Sequence, residues 1–154
     1  MYYLLDVQPI KGIVFTTEGT KVFTEVSKKI IMEINLLTKT CIGLAFEVHT
    51  ALGPGLLESV YKECLFYKIR KAGLCVEKEV PIPLLFEEIH LDCGYRIDLL
   101  VENKLVLEIK SVEQIHPVYI AQVLTYLKLG KFHLGLLLNF NVLHLRECIK
   151  RIIL

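Results

Sequence analysis

The sequence lacks a hydrophobic run as long as a membrane-spanning helix needs. Mean hydropathy is high, at +0.49, but the most apolar stretches, residues 105–107 and 134–138, are far shorter than the roughly 18 residues that cross a bilayer. We therefore expect no membrane association and predict that both stretches are central strands, buried on both faces of a sheet. The remaining hydrophobicity leaves open a homo-oligomer interface or a surface for a partner protein.

Paired cysteines are also missing. The five cysteines form an odd set with no C-x-x-C pair, which argues against a zinc site and against a disulfide framework. The N-terminus shows no basic segment followed by an apolar core and a small-residue cleavage site, so no secretory signal is expected. Together these absences favour a cytoplasmic protein with reduced thiols.

The sequence shows neither a strong excess of one charge nor a dinucleotide-binding fingerprint. The net charge of +1 argues against a protein that coats polyanions. Residues 110–154 do carry six basic and two acidic side chains, which suits either a face that meets phosphates or an ordinary solvated surface. The one Gly-x-Gly, Gly53-Pro54-Gly55, follows a predicted helix instead of a strand, so an oxidoreductase finds no support.

The hydrophobic patterns predict one main domain preceded by a different segment. Residues 1–31 are interpreted as an N-terminal extension of uncertain role, with short strands over 2–7 and 12–16 and a helix over 21–31. Residues 32–154 form the main domain. Its predicted helices cover 36–52, 56–72 and 117–129, with Gly73 and Gly130 at the ends of the last two.

The same patterns predict several strands between and after those helices. Strands are expected over 74–80, 82–86, 94–101, 104–110 and 132–140. Residues 142–145 and 148–153 form either edge strands or a final short helix. This order predicts a mixed α/β or α+β domain whose central sheet is covered by helices.

The hairpin over 94–110 brings acidic residues together. With a three-residue turn over 102–104, Val101 faces Leu105 and Asp98 faces Glu108, and the alternation of side chains puts Lys110 on the same face. Two carboxylates that close on apolar strands repel each other. A bound Mg²⁺ or Mn²⁺ would resolve the repulsion because hard cations prefer carboxylate oxygens. The alternative is that Lys110 merely forms structural ion pairs with these carboxylates on an edge hairpin.

Three motifs in order resemble the PD-(D/E)XK nuclease superfamily, whose core has a restriction-endonuclease-like fold. Asp98, followed after nine residues by Glu108-Ile109-Lys110, resembles its D-x(n)-E-x-K core. Residues 55–61 (GLLESVY) match the G-x-x-E-x-x-Y motif that names a small prokaryotic family within it. Residues 122–126 (QVLTY) match the Q-x-x-x-Y element of the RecB-like exonuclease branch. The resemblance covers about residues 36–154, and the namesake proline before the aspartate is Ile97 here.

The resemblance implies a role for each matching residue. Asp98 and Glu108 would bind the metal together with the backbone carbonyl of Ile109, and Lys110 would be the catalytic lysine. Glu58 would reach the same metal directly or through water, although an acid at this point also suits the start of a helix.

Further along the chain, the resemblance implies that Gln122 and Tyr126, which share a helix face, position Lys110 or a substrate phosphate. Both could also be ordinary helix surface. Tyr61 is interpreted as a packing residue with a tethered hydroxyl, and His49 as structural.

The resemblance implies a metal-dependent nuclease that hydrolyses phosphodiester bonds, with DNA favoured over RNA as the substrate. The alternative is a non-catalytic module that keeps the nuclease fold to bind nucleic acid or protein. The three intact residues Asp98, Glu108 and Lys110 favour the enzyme.

Overall fold

The computed structural model describes residues 17–91 and 94–154. The chain divides into two compact units, Met1–Glu33 and Ile34–Leu154, and the second holds the sheet described below. The strands predicted over 2–7 and 12–16 lie outside the described residues.

The first described element is one long helix, α1, over Thr17–Leu52. The prediction of two separate helices over 21–31 and 36–52 is therefore wrong, because both ranges belong to this single helix. The intervening residues 32–35 contain neither glycine nor proline, so nothing in the backbone stops the helix there. It ends before Gly53, which adopts a φ of +66°. Its C-terminal half buries a stripe at helical spacing, namely Leu37, Cys41, Ala45 and Val48.

The remaining elements follow the predicted order, apart from a short strand over Ile89–Leu91 that was not predicted. They are α2 (Glu58–Lys71), β1 (Val76–Pro81), β2 (Leu84–Phe86), β3 (Ile89–Leu91), β4 (Arg96–Val101), β5 (Leu105–Lys110), α3 (Pro117–Gly130), β6 (Leu134–Asn139), a 3₁₀ turn (Leu145–Cys148) and β7 (Ile149–Ile153). The C-terminal segment thus contains both of the structures considered for it, a short helical turn and an edge strand. No helix within the described ranges is long and apolar enough to cross a membrane.

Five strands form one mixed sheet in the order β1-β4-β5-β6-β7. β5 and β6 run parallel and the other neighbours are antiparallel, while β2 and β3 form a separate hairpin. α3 makes the connection that a parallel pair requires. Every residue of β5 and β6 is buried, which confirms the prediction of central strands covered on both faces. The fold class is confirmed as mixed α/β with a restriction-endonuclease-like core.

Helices cover both faces of this sheet. One core cluster joins α1 and α2, through residues such as Ala45 and Leu65, to Leu107 and Leu136 of the sheet. A second cluster joins α3 to the opposite face. Close approach of α3 depends on Gly135, since a Cβ there would lie 2.6 Å from Cγ1 of Val123.

Four cysteines of the described chain are free thiols: Cys41, Cys64, Cys75 and Cys148. Cys41 is fully buried between α1 and the sheet, and burial raises the pKa of its thiol to about 12. Such a thiol is protonated and unreactive at neutral pH.

Candidate active site

Hydrogen bonds hold the loop before α2 at both ends, and they determine where Glu58 lies. The buried Tyr61 hydroxyl donates a hydrogen bond to the Gly53 carbonyl at 2.6 Å and accepts one from the Leu56 amide at 3.1 Å. The Ser111 hydroxyl donates to the Leu56 carbonyl at 2.6 Å. Because Ser111 directly follows β5, this bond places the start of α2 beside the end of that strand. The tethered hydroxyl predicted for Tyr61 is present.

Asp98 lies in β4 where the regular ladder stops. The predicted pairing of Val101 with Leu105 is confirmed, and the ladder between β4 and β5 runs from there to Leu99 and Leu107. Beyond this pair, Oδ2 of Asp98 accepts the hydrogen bond of the Ile109 amide at 2.9 Å. The side chain therefore replaces a main-chain acceptor, and its carboxylate is held against the strand that carries Glu108 and Lys110.

Glu108 and Lys110 form a buried ion pair in β5. Nζ of Lys110 donates to Oε1 of Glu108 at 2.6 Å, and the side chains are 11% and 3% exposed, respectively. Oε2 of Glu108 has no hydrogen-bond partner among the described residues. Burial, together with the nearby negative charge of Asp98, raises the pKa of Glu108 to about 7 even though Lys110 acts in the opposite direction. An acid this perturbed beside a buried lysine is typical of a functional site.

Glu58 belongs to the same electrostatic cluster. Its carboxyl is half-buried, and burial raises its pKa, with Lys110 lowering it and Asp98 raising it further. Burial lowers the pKa of Lys110, but the hydrogen bond and charge of Glu108, together with the charges of Glu58 and Asp98, outweigh burial and raise it. The structure thus brings Glu58 into the field of Asp98, Glu108 and Lys110.

Gln122 and Tyr126 contact each other on α3. Nε2 of Gln122 donates to the Tyr126 hydroxyl at 2.6 Å, and Tyr126 is buried. Burial, followed by the charge of Glu108, raises the pKa of Tyr126. Tyr126 therefore lies within electrostatic range of Glu108, and its side chain belongs to the core instead of the helix surface.

Ile109 is fully buried and lies beside Leu138 of β6. Its amide is engaged by Asp98, and the role of its carbonyl as a metal ligand stays a prediction. His49, interpreted as structural, donates a hydrogen bond of 2.7 Å from Nε2 to the Val142 carbonyl and packs near Phe140.

Two charged residues that the sequence reasoning missed complete the site. Nζ of Lys62 contacts Oδ1 of Asp98 at 3.1 Å and also binds Oε1 of Glu79. Lys62 lies four residues after Glu58 on α2, so helical spacing to an already suspected acid was an available signal. Glu79 lies between two paired positions of β1 and has a φ of 52°; no sequence pattern indicated its conformation.

A third missed residue is Asn139, at the C-terminal end of β6. Its buried side chain accepts a hydrogen bond from the Val112 amide at 3.0 Å and donates one to the Val112 carbonyl at 2.8 Å. Asn139 thereby holds the segment that leaves β5 just after Lys110. Its position beside Lys110 in the parallel pair was the signal that could have found it, because sites gather at such strand ends.

The donor set suits a divalent cation, although no metal-binding cluster is preassembled. Among the residues that the structure describes, no three His, Cys, Asp or Glu side chains form a metal-ligating group. Asp98 and Glu108 instead have ammonium partners. The partnerless Oε2 of Glu108 is nevertheless a buried hard donor, and a hard cation prefers such oxygens. The residues present fit Mg²⁺ or Mn²⁺ better than a soft metal.

A cleft of about 460 Å³ opens beside Lys110. It is lined by Ser111, Val112, Glu113, Gln114, His116, Tyr119 and Asn141. The Tyr119 ring centroid lies 5.5 Å from Nζ of Lys110 and 5.9 Å from the His116 ring. An aromatic side chain next to a lysine offers a stacking surface beside a positive charge, which is a combination typical of nucleic-acid contacts.

A mixed sheet with two buried acids and a lysine on neighbouring strands defines a nuclease-like domain with a D…E-x-K site. The model of the PD-(D/E)XK nuclease superfamily matches residues 35–152, and the chain belongs to this superfamily. Its members are generally nucleases, so nuclease activity in general follows from membership. Searches of curated proteins and of solved structures gave no match.

Proposed function

We propose that this protein is a divalent-metal-dependent nuclease that hydrolyses phosphodiester bonds, with DNA as the preferred substrate over RNA. The observation that carries the proposal is the buried Glu108, whose Oε2 has no partner in the described chain and whose other oxygen contacts Lys110. Burying a carboxylate oxygen that has no partner, as Oε2 has none, costs free energy unless a donor or a cation engages it. The proposal assigns that role to Mg²⁺ or Mn²⁺.

The metal would be held by Asp98 and Glu108, with Glu58 and the Ile109 carbonyl as further ligands. A metal of this kind lowers the pKa of a bound water and stabilises charge on a phosphoryl oxygen. Lys110 supplies a second positive charge for the phosphate as negative charge develops on it. The Ile109 amide and Glu108 hold Asp98 and Lys110, respectively, in place, so little reorganisation is needed when substrate binds.

Substrate is proposed to lie in the cleft that follows Lys110. Tyr119 and His116 provide rings for stacking against a base or sugar, and Lys110, whose ammonium group lies 5.5 Å from the Tyr119 ring centroid, provides a positive charge beside them for the phosphate. Gln122 and Tyr126 are proposed to orient Lys110 or the phosphate from α3. DNA is favoured because residues 122–126 resemble the RecB-like exonuclease branch. The assignment to the G-x-x-E-x-x-Y family, based on residues 55–61, is part of the same proposal.

The decisive experiment is a cleavage screen over single-stranded, double-stranded and branched DNA and RNA, with Mg²⁺, Mn²⁺ or EDTA. We expect metal-dependent cleavage that Lys110→Met abolishes, while calorimetric metal binding is retained. Lys128→Met, which removes an exposed lysine of α3, is the matched control and should cleave normally. Asp98→Ala and Glu108→Ala should lose metal binding. Metal binding without cleavage of any substrate would favour the non-catalytic module instead.

A further inference from the structure

Lys62 is placed to act on the proposed metal site without being part of the D…E-x-K motif. Its side chain is only 15% exposed, and its ammonium group lies between two carboxylates, 3.1 Å from Oδ1 of Asp98 and in contact with Oε1 of Glu79. Oδ2 of Asp98 is already engaged by the Ile109 amide. Both oxygens of this proposed metal ligand are therefore occupied by groups of the chain itself.

Glu79 is built into the sheet in a way that serves this contact. The pairs Lys78 with Leu99 and Val80 with Ile97 are regular, while Glu79, between them and level with Asp98, has a φ of 52°. A non-glycine residue in the left-handed region inside a strand is unusual and costs free energy. The irregularity lies at the point where Glu79 binds the same ammonium group as Asp98.

The carboxylates around Lys62 and Lys110 outnumber the ammonium groups. Four carboxylates (Glu58, Glu79, Asp98 and Glu108) surround two ammonium groups, Lys62 and Lys110. The two lysines offset part of the repulsion in the metal-free protein, and the excess of negative charge that remains suits one divalent cation. A cation binding to Oδ1 of Asp98 has to displace the ammonium group of Lys62 from that oxygen.

We propose that Lys62 is a positioning residue that serves as an internal counter-ion for Asp98, competes with the divalent cation for its carboxylate, and is drawn away by Glu79 when the cation binds. This inference rests on the proposed function, because it requires that Asp98 be a metal ligand. Glu79 then favours metal binding indirectly, by offering the displaced ammonium group a second partner.

Two substitutions have opposite expected effects on metal affinity. Lys62→Met keeps the apolar stem and removes the competitor, so the affinity for Mn²⁺ measured by calorimetry should rise roughly three- to tenfold. Glu79→Gln removes the second partner of Lys62, so the affinity should fall by a similar factor. Lys78→Met is the matched control: its ammonium group pairs with Glu63 at 2.7 Å, and Mn²⁺ affinity should change less than twofold, roughly.

The double variant separates competition from a general change in charge. If Glu79 acts through Lys62, Glu79→Gln should have little effect in the Lys62→Met background, whereas independent charges would give additive effects. In EDTA, Lys62→Met should also lower Tm by several degrees, because Asp98 and Glu79 lose their shared counter-ion. Saturating Mn²⁺ should restore that loss, and Lys62→Arg should keep the metal-free Tm near that of the unmodified protein.

The outcomes distinguish the two proposals. If the unmodified protein binds no Mn²⁺, the metal-dependent nuclease proposal fails. If it binds Mn²⁺ and Lys62→Met leaves the affinity unchanged or lowers it, the counter-ion role of Lys62 is refuted while the metal site stands. Additive effects of the two substitutions would refute the coupling through Glu79.

Discussion

Raising the pH of the metal-free protein should destabilise it through Glu108. Burial and the charge of Asp98 raise the pKa of this carboxyl from 4.5, its value in the unfolded chain, to about 7 in the folded protein. Between these values the folded state binds more protons than the unfolded state, so the free energy of unfolding falls as pH rises. The contribution is fully present below the unfolded pKa and is lost as the pH passes the folded pKa.

The size of the effect follows from the difference between the two pKa values. A rise of the pKa from 4.5 to about 7 corresponds to about 3–4 kcal/mol at most, since one pKa unit is worth about 1.4 kcal/mol. Proteins of this size are stable by about 5–15 kcal/mol, so the loss is measurable. Lys110 remains protonated throughout this range because its pKa is raised. Its positive charge beside Glu108 therefore does not change with pH.

Urea unfolding in EDTA at intervals from pH 5 to pH 9 provides the measurement. Glu108→Gln removes the titrating group and should remove this pH-dependent component, even if it lowers stability overall by depriving Lys110 of its partner. With saturating Mn²⁺ the trend should reverse, because metal binds the deprotonated carboxylate. A metal-free stability that is flat from pH 5 to pH 8, or equally sloped in Glu108→Gln, would refute the reasoning.

Three further predictions concern the loop, the helix packing and the cleft. Tyr61→Phe should cost about 1–2 kcal/mol in urea unfolding, because the hydroxyl satisfies two backbone groups of the loop; no loss would mean the loop holds without it. Gly135→Ala should cost about 1–3 kcal/mol through its clash with Val123, and a double variant with Val123→Ala should recover part of it; full additivity would exclude the clash. Tyr119→Ala should weaken binding of single-stranded DNA by about 1–3 kcal/mol in an anisotropy titration with Ca²⁺, whereas unchanged affinity would place substrate elsewhere.

Much of the fold was predictable from local patterns. Gly73, with a φ of +81°, and Pro117 at the start of α3 act through backbone conformation that depends on neighbours in sequence. The apolar residues of β5 and β6 indicated central strands because no polar position alternates with them apart from the site itself. The division of α1 was mispredicted because the change in composition near residue 31 does not interrupt helical hydrogen bonding.

The candidate site was predictable where it follows from strand register. The hairpin turn pairs Val101 with Leu105, as predicted. The ladder ends at Leu99 and Leu107, however, so the predicted direct pairing of Asp98 with Glu108 is not part of it, and the Asp98 side chain binds the Ile109 amide instead. Lys62 and Glu79 could not be assigned in this way. Their contact with Asp98 joins α2, β1 and β4, which are distant in sequence, and depends on an unusual φ at Glu79.

The amino-acid sequence by itself indicated the superfamily, most of the elements in their order and the three residues of the D…E-x-K motif, because each follows from patterns and spacing along the chain. Only the tertiary structure decided how the charges of that core are balanced. It leaves one oxygen of Glu108 without a partner in the described chain and gives Asp98 the ammonium group of Lys62. The reason is physical: charge compensation depends on distances between elements that packing alone brings together.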